Sequence, residues 1–292
     1  MKIHSLNCAT LCPPCRRAVN GTGSYLEKGT LICHCLLLET PQDGLVLIDT
    51  GLGTEDCARP QNRLGSNFLR SSAPLLRKDE TALHQVEALG FQAKDVRHIL
   101  LTHLDLDHAG GLSDFPQAKV HLLATEKESA ECTRGRFASE RYRPEQWSHV
   151  SHWETYEATS GENWRGLPNV QRVRGLRSDV FLVPLLGHTY GHAGYAVDRG
   201  ADAFLHCGDA YFHSATVRAS ASHSKVPWGL SFFQQLVAMD RRQMGQTQER
   251  LAKFHQEQSQ QADSSVQVFC AHDPDEKSAL ERFLKPSVAQ SG

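Results

Sequence analysis

Four apolar stretches, far apart in the chain, each end in residue types that bind metals. "LLTHLDLDHAGG" (100–111) carries His103, Asp105, Asp107 and His108, and "PLLGHTYGHAG" (184–194) carries His188 and His192. "FLHCGDAYFH" (204–213) carries Asp209, and "VFCAHDPDE" (268–276) carries His272. A lone histidine after a strand is most simply a cap or a satisfied core residue. Four such strand ends together ask for a fold that gathers them, because a rigid strand positions a residue and the following loop exposes it. A metal site at one edge of a sheet is the reading that accounts for all four.

The rest of the pattern supplies those strands. "CHCLLLE" (33–39), "GLVLIDTG" (44–51), "VRHILLTH" (96–103), "AKVHLLA" (118–124), "VFLVPL" (180–185), "GYAVD" (194–198), "AFLHCGD" (203–209) and "SVQVFCAH" (265–272) read as strands. Helical spacing marks 80–89, the stretch through "TEKESAEC", 232–258 and 274–284. In the third of these, Phe232, Leu236, Val237, Met239, Leu251 and Phe254 form a core-facing stripe. Gly110 and Gly111 are expected to let the chain turn sharply before a helix begins. Residues 133–178 are polar, aromatic and irregular, and are expected to form an insertion over one face of a single domain spanning 1–292.

Composition narrows the function classes. The chain has 292 residues, 40% hydrophobic and 22% charged, with a net charge of -2. That is the profile of a globular domain, and it lacks the basic character of a nucleic-acid binder. No apolar run approaches the roughly 18 residues that cross a bilayer, so no membrane partner is expected. "MKIHSLNCATLCPPC" lacks the apolar core of a secretory leader, so a cytoplasmic location is expected. The 9 cysteines fit reduced thiols there. Cys8, Cys12 and Cys15 cluster closely, with Cys33 and Cys35 following, and short spacings of this kind can hold a structural zinc. A redox role for "CPPC" and ordinary free thiols are the alternatives.

"DTG" (49–51), "THLDLDHAGG", "GHTYGH" (187–192), "GD" (208–209) and "AHDPDE" resemble, in order and separation, the metallo-β-lactamase fold superfamily of metal-dependent hydrolases. The resemblance covers roughly residues 30 to 275. Within the superfamily the chain looks most like the lactonase branch, which includes enzymes that open acyl-homoserine lactones. The resemblance implies an α/β (α+β) fold, a four-layer αβ/βα sandwich with a dinuclear metal centre at one edge of the paired sheets. It implies one metal held by His103, Asp105 and His188, and another held by Asp107, His108 and His272, with Asp209 bridging. Asp49 would support the metal loop from outside. Homodimers are common in the family, so a homodimer is expected.

The family usually has histidine where this chain has Asp105. Two divalent ions, three aspartates and a bridging hydroxide sum to a neutral site; a histidine at 105 would leave one positive charge. A more anionic, oxygen-rich site shifts preference from zinc toward manganese or iron(II). Zinc also accepts a carboxylate in place of histidine, and an Asp105 that points away from an empty first site is a third reading.

The expected chemistry is attack of a metal-bridging hydroxide on the carbonyl of a small ester or lactone. Asp107 would shuttle the proton. Tyr211 would donate to the developing oxyanion, although the lactonases carry their tyrosine one position further on, where this chain has Phe212. His192 reads as a supporting residue or helix cap, His206 as a core residue and His213 as a loop residue. Trp147, Trp153 and Trp164 would line the pocket or pack the insertion. Two other classes compete: an oxidoreductase using one iron, as in the persulfide dioxygenases, and a non-catalytic ligand sensor that kept the pocket.

Overall fold

The computed structural model describes residues 1–132, 140–218, 225–261 and 265–285. Strands β1 (Lys2–Leu11), β2 (Leu31–Glu39), β3 (Leu45–Ile48), β4 (Val96–Leu100), β5 (Lys119–Leu123) and β6 (Trp153–Tyr156) lie side by side in one sheet. Strands β7 (Glu162–Trp164), β8 (Leu167–Arg172), β9 (Val180–Pro184), β10 (Ala193–Asp198), β11 (Asp202–His206) and β12 (Ser265–Phe269) form a second, in reverse spatial order from β12 to β7.

Strand periodicity of two builds the layers. Leu36 and Leu38 of β2 and Val46 and Ile48 of β3 meet Leu182, Tyr195, Val197 and Phe204 between the sheets. Their neighbours Leu37, Leu45 and Leu47 face outward, onto Ala82 and Val86 of helix α1 (Ala82–Ala88). On the far side Val183, Leu185, Ala196 and Leu205 pack on Leu251 and Phe254. The result is helix, sheet, sheet, helix: a four-layer αβ/βα sandwich. A one-residue slip in β2 would exchange its two buried faces.

Strand direction gathers the site. β3, β4 and β5 run parallel. β10 is antiparallel to both β9 and β11, and β11 is parallel to β12, so β9, β11 and β12 also share a direction. The residues that follow β4, β9, β11 and β12 are therefore delivered to one edge. β2 is antiparallel to β3 with Leu36 opposite Ile48, so the start of β2 runs on past the end of β3 toward the same edge. There it ties the sheets together: His34 N–H donates to Ala271 O at 2.8 Å, and His272 Nδ1 bonds Ile32 O at 2.7 Å.

Several elements differ from expectation. β1 was hidden because its register shifts between Asn7 and Thr10, which breaks the period-two pattern. Residues 153–172 are not irregular: they supply β6 at the edge of the first sheet and β7 and β8 in the second. The span 232–258 is two helices rather than one. Helix α2 (Ala124–Cys132) precedes them, α3 (Trp228–Val237) ends at Ala238, and α4 (Arg241–Ser259) starts afresh with Asp240 capping Gln243 N–H. The break is fixed by Met239 N–H and Asp240 N–H, which bond His188 O and Gly187 O. Phe232 and Leu236 are consequently exposed, whereas Leu251 and Phe254 are buried as expected. Helix α5 (Pro274–Leu284) packs against β1, β2 and β12, with Pro274 in its first turn. Among the described residues, no helix is long and apolar enough to cross a membrane.

Candidate metal centre

The loop after β4 is held from two sides. Asp49, left-handed at φ 55°, follows β3. Its Oδ1 accepts from Thr102 N–H at 2.8 Å, and its Oδ2 accepts from the Thr102 hydroxyl at 2.8 Å and pairs with His108 Nδ1 at 2.9 Å. Glu126, in the first turn of α2, accepts from Leu104 N–H at 2.9 Å and from the Thr189 hydroxyl at 2.6 Å. One buried carboxylate thus pins the residues next to His103 and His188. Gly110 is right-handed, at φ -58°, so the glycine pair does not serve a left-handed turn. It serves close approach: a Cβ at Gly110 would lie 2.0 Å from Asp56 Oδ2, and one at Gly111 would lie 2.9 Å from Thr50 Cβ.

Outer hydrogen bonds aim the rings. His108 and His272 commit Nδ1 to Asp49 and to Ile32 O, which leaves each Nε2 directed inward. The Nε2 atoms of His103 and His188 join Asp105 Oδ2 and Asp209 Oδ2. His188 is 3.0 Å from Asp105 Oδ2 and 3.4 Å from Asp209 Oδ2; His103 is 3.3 and 3.8 Å from the same two oxygens. A second set surrounds Asp209 Oδ1, with His108 Nε2 at 3.3 Å and His272 Nε2 at 3.1 Å. Asp107 adjoins it, its Oδ2 3.7 Å from His272 Nε2 and its Oδ1 4.0 Å from His108 Nε2. Donors around a tetrahedral ion at about 2.0–2.1 Å stand roughly 3.3–3.4 Å apart, so both sets have metal-site dimensions. His103 Nε2, His108 Nε2 and Asp209 Oδ1 are buried with no hydrogen-bond partner. Buried polar atoms are ordinarily paired, and divalent cations between these donors fit the residues present.

Arg141 is the group that sequence reasoning missed. Its Nε and Nη2 donate to Asp105 Oδ1 and Oδ2 at 2.5 and 2.7 Å, and Nη2 also lies 2.9 Å from His188 Nε2. Nη1 donates to Val237 O at 2.6 Å, at the end of α3. Burial raises the Asp105 pKa, but the guanidinium and the His103 ring outweigh it and hold the carboxyl well below its ordinary range. Burial and the same guanidinium lower His188 to about 4, whereas on His108 and His272 the Asp209 carboxylate outweighs burial and raises the ring, His272 to about 9. Arg141 offsets the charge that Asp105 adds, which removes the charge argument for a harder metal. The only sequence signal was "RYR" in an otherwise unpatterned stretch.

Other expected participants lie elsewhere. Tyr211 is fully buried, with its hydroxyl donating to Glu276 at 3.1–3.2 Å, so it is not brought to the cluster. Phe212 is there instead, its ring edge-on to His188 and His272 at centroid distances of 5.7 and 5.1 Å. His192 bonds Leu185 O through Nδ1 and accepts from Asp209 N–H through Nε2, a supporting role. His206 bonds His34 O within the core, and His213 accepts from Ala215 N–H in its own loop. The tryptophans are not a pocket wall: Trp147 and Trp153 pack on the first sheet's outer core and Trp164 on the second's. The zinc expected at Cys8, Cys12 and Cys15 is not supported. Among the described residues these thiols form no ligand-spaced group, because Cys8 faces the core with Cys35 while Cys12 and Cys15 sit half-buried beyond it.

A sandwich with histidine and aspartate donors converging at one sheet edge defines a metal-dependent hydrolase. The Metallo-beta-lactamase superfamily profile matches residues 29–257, and the chain belongs to that superfamily. It is 39% identical over 279 residues to the probable metallo-hydrolase Rv2300c of Mycobacterium tuberculosis, covering 94% of this chain and 81% of that protein. Its fold is similar to that of a solved N-acyl homoserine lactone hydrolase with N-hexanoyl-L-homoserine bound at its catalytic metal center. The TM-score is 0.68 at 20% identity, with 95% of both chains covered. AidC, a dizinc quorum-quenching lactonase, is similar at a TM-score of 0.61 and 16% identity, over 93% of this chain and 87% of that one.

Proposed function

We propose that the chain is a dinuclear hydrolase of carboxylic esters, lactones foremost. The observation that carries this is the shared Asp209: Oδ2 lies beside His103 and His188, Oδ1 lies beside His108, and His272 Nε2 reaches both oxygens, at 3.1 and 3.2 Å, with Asp107 adjoining it. A bridging carboxylate of this kind suits two ions a few Å apart. When bound, such a pair supplies a water acidified to near neutral pH and Lewis acidity toward a carbonyl oxygen.

The chain's own residues do the rest. Asp107 is the acid–base group, taking the proton from the attacking water and returning it to the leaving alkoxide. Its carboxylate adjoins the donor set, and its side chain keeps 11% exposure. Phe212 packs its apolar ring against the two ligand histidines, and it offers no hydroxyl to an oxyanion. The lactone hydrolases of the same fold support an ester or lactone substrate; zinc is the proposed metal, because Arg141 cancels the charge of Asp105.

Elemental analysis and native mass spectrometry of the metal-repleted protein, followed by a pH-stat screen of lactones and aryl esters, test this reading. Two ions per chain with lactone turnover are expected. A single iron with oxygen consumption on persulfides would replace it with the dioxygenase reading. Two ions with no turnover of any ester would favour ligand sensing.

A further inference from the structure

We infer that Cys33 is a ligand of the second metal, completing a Cys33–Asp107–His272 donor set. The inference rests on the dinuclear reading and adds a residue to it. The antiparallel β2 runs past the end of β3, so its first residues reach the metal edge. Cys33 sits between two residues that hold that edge together, Ile32 accepting from His272 and His34 donating to Ala271. Its side chain is 1% exposed. Its Sγ lies 3.9 Å from Asp107 Oδ2, and Sγ, the carboxylate oxygen and a His272 nitrogen all lie within 4.8 Å of one another. Next to this group, His108 Nε2 and Asp209 Oδ1 are buried without hydrogen-bond partners, an independent sign that a ligand belongs between them.

The assignment rests on this geometry. Two divalent ions, Asp105, Asp107, Asp209, a hydroxide and the Arg141 guanidinium leave one positive charge, which the buried Asp49 carboxylate on His108 already offsets. The thiol gives up its proton to solvent as the metal binds, and the S–metal bond forms in its place. A thiolate also reverses the preference expected from Asp105 alone: it is a soft donor, and it selects zinc or cobalt over manganese at that position.

The test uses the full chain, stripped and refilled with cobalt(II), and in parallel with zinc. Wild type is expected to show a near-ultraviolet sulfur-to-cobalt charge-transfer band and, with zinc, a sulfur shell at about 2.3 Å in X-ray absorption. Cys33→Ser should lose both while binding the second ion more weakly. Cys12→Ser/Cys15→Ser should keep both, which separates Cys33 from the N-terminal thiols. The wild-type spectra stand even if Cys33→Ser fails to fold. Two ions per chain with no sulfur signal would overturn the role of Cys33, reducing it to a thiol donor to Asp107, and would leave the dinuclear reading intact. A signal that disappears in Cys12→Ser/Cys15→Ser and persists in Cys33→Ser would also overturn it. Failure to bind a second ion in any variant would remove the dinuclear reading and this inference together.

Discussion

Arg141 and Asp105 form a two-point ion pair at 2.5 and 2.7 Å, and the same guanidinium reaches His188. The aspartate and the arginine make sense only together. Asp105 alone adds a negative charge where the family has a neutral ring. Arg141 alone would bring an unpaired cation against His188. As a pair they are formally neutral, and the planar fork fixes the carboxylate so that Oδ2 faces the His103 and His188 nitrogens.

Breaking the pair should therefore cost more without metal than with it. Arg141→Met should destabilise the metal-free protein by about 2–4 kcal/mol, since both side chains are mostly buried. The loss should shrink once cations reoccupy the neighbourhood of Asp105. Urea titrations of stripped and repleted protein check this. Arg141→Lys, which keeps the charge and loses the fork, should recover only part of the loss. Equal losses in both states would show that Arg141 serves packing and not the site.

The pair also predicts that the familiar histidine cannot simply be restored. Asp105→His leaves Arg141 without its carboxylate, so metal affinity at the first set should fall. Asp105→His/Arg141→Met should bind more tightly than either single variant. Competition with a chromogenic chelator measures all four corners of the cycle. Additive effects would mean the two residues do not act as a unit.

This coupling marks the boundary of what the sequence discloses. His103, Asp105, Asp107, His108, His188, Asp209 and His272 each follow or lie near the end of an apolar strand, and strand periodicity is a local signal. The layered fold was legible for the same reason, through the alternating or wholly apolar runs at 33–39, 45–48 and 180–185. Arg141, Glu126 and Cys33 act across the fold. Arg141 reaches Asp105 from a stretch with no periodicity, Glu126 looks like any helical glutamate, and Cys33 depends on how far β2 overruns β3. Tyr211 failed for a related reason. Both residues lie in the loop beyond the end of β11, where no period tells which of two neighbours faces the site: Phe212 packs against His188 and His272, and Tyr211 turns to Glu276.

The opposite orientations of Tyr211 and Phe212 give a sharp contrast. Tyr211→Phe should leave kcat and KM unchanged, because the hydroxyl meets Glu276 and not substrate. It should lower stability by about 1 kcal/mol, the worth of a buried hydrogen bond. Phe212→Tyr should change KM or kcat, because the added hydroxyl meets the His188 and His272 rings. Steady-state kinetics on the best lactone, with thermal melts alongside, separate the two.

Outer carboxylates should matter in proportion to what they aim. Asp49→Asn weakens the partner that fixes the His108 tautomer, and Glu126→Gln loosens the residues flanking His103 and His188. Each should lower metal affinity roughly 10–100-fold with the fold retained. Asp209→Asn, which takes charge from both donor sets, should cost more than either. An Asp209→Asn protein that still holds two ions as tightly as wild type would remove the bridging role.

Acid should unfold the metal-free protein through its buried neutral histidines. His121 is fully buried, with Nδ1 on the Tyr156 hydroxyl and Nε2 on His98 Nδ1, both at 2.9 Å. Burial, with His98 and Lys119 adding to it, lowers it to about 3, against about 6.5 in an unfolded chain. Between those values the unfolded state binds the proton and the folded state does not. The contribution of His121 is therefore complete above about pH 6.5 and declines as the pH falls toward 3. At pH 5 it amounts to a loss of about 2 kcal/mol for this one ring. Urea midpoints of stripped protein from pH 7.5 to 5 should fall with acidity, and His121→Asn should flatten the slope by that amount even if it lowers stability throughout. An unchanged slope would mean that His98 and His121 share a proton in the folded state and titrate near normally.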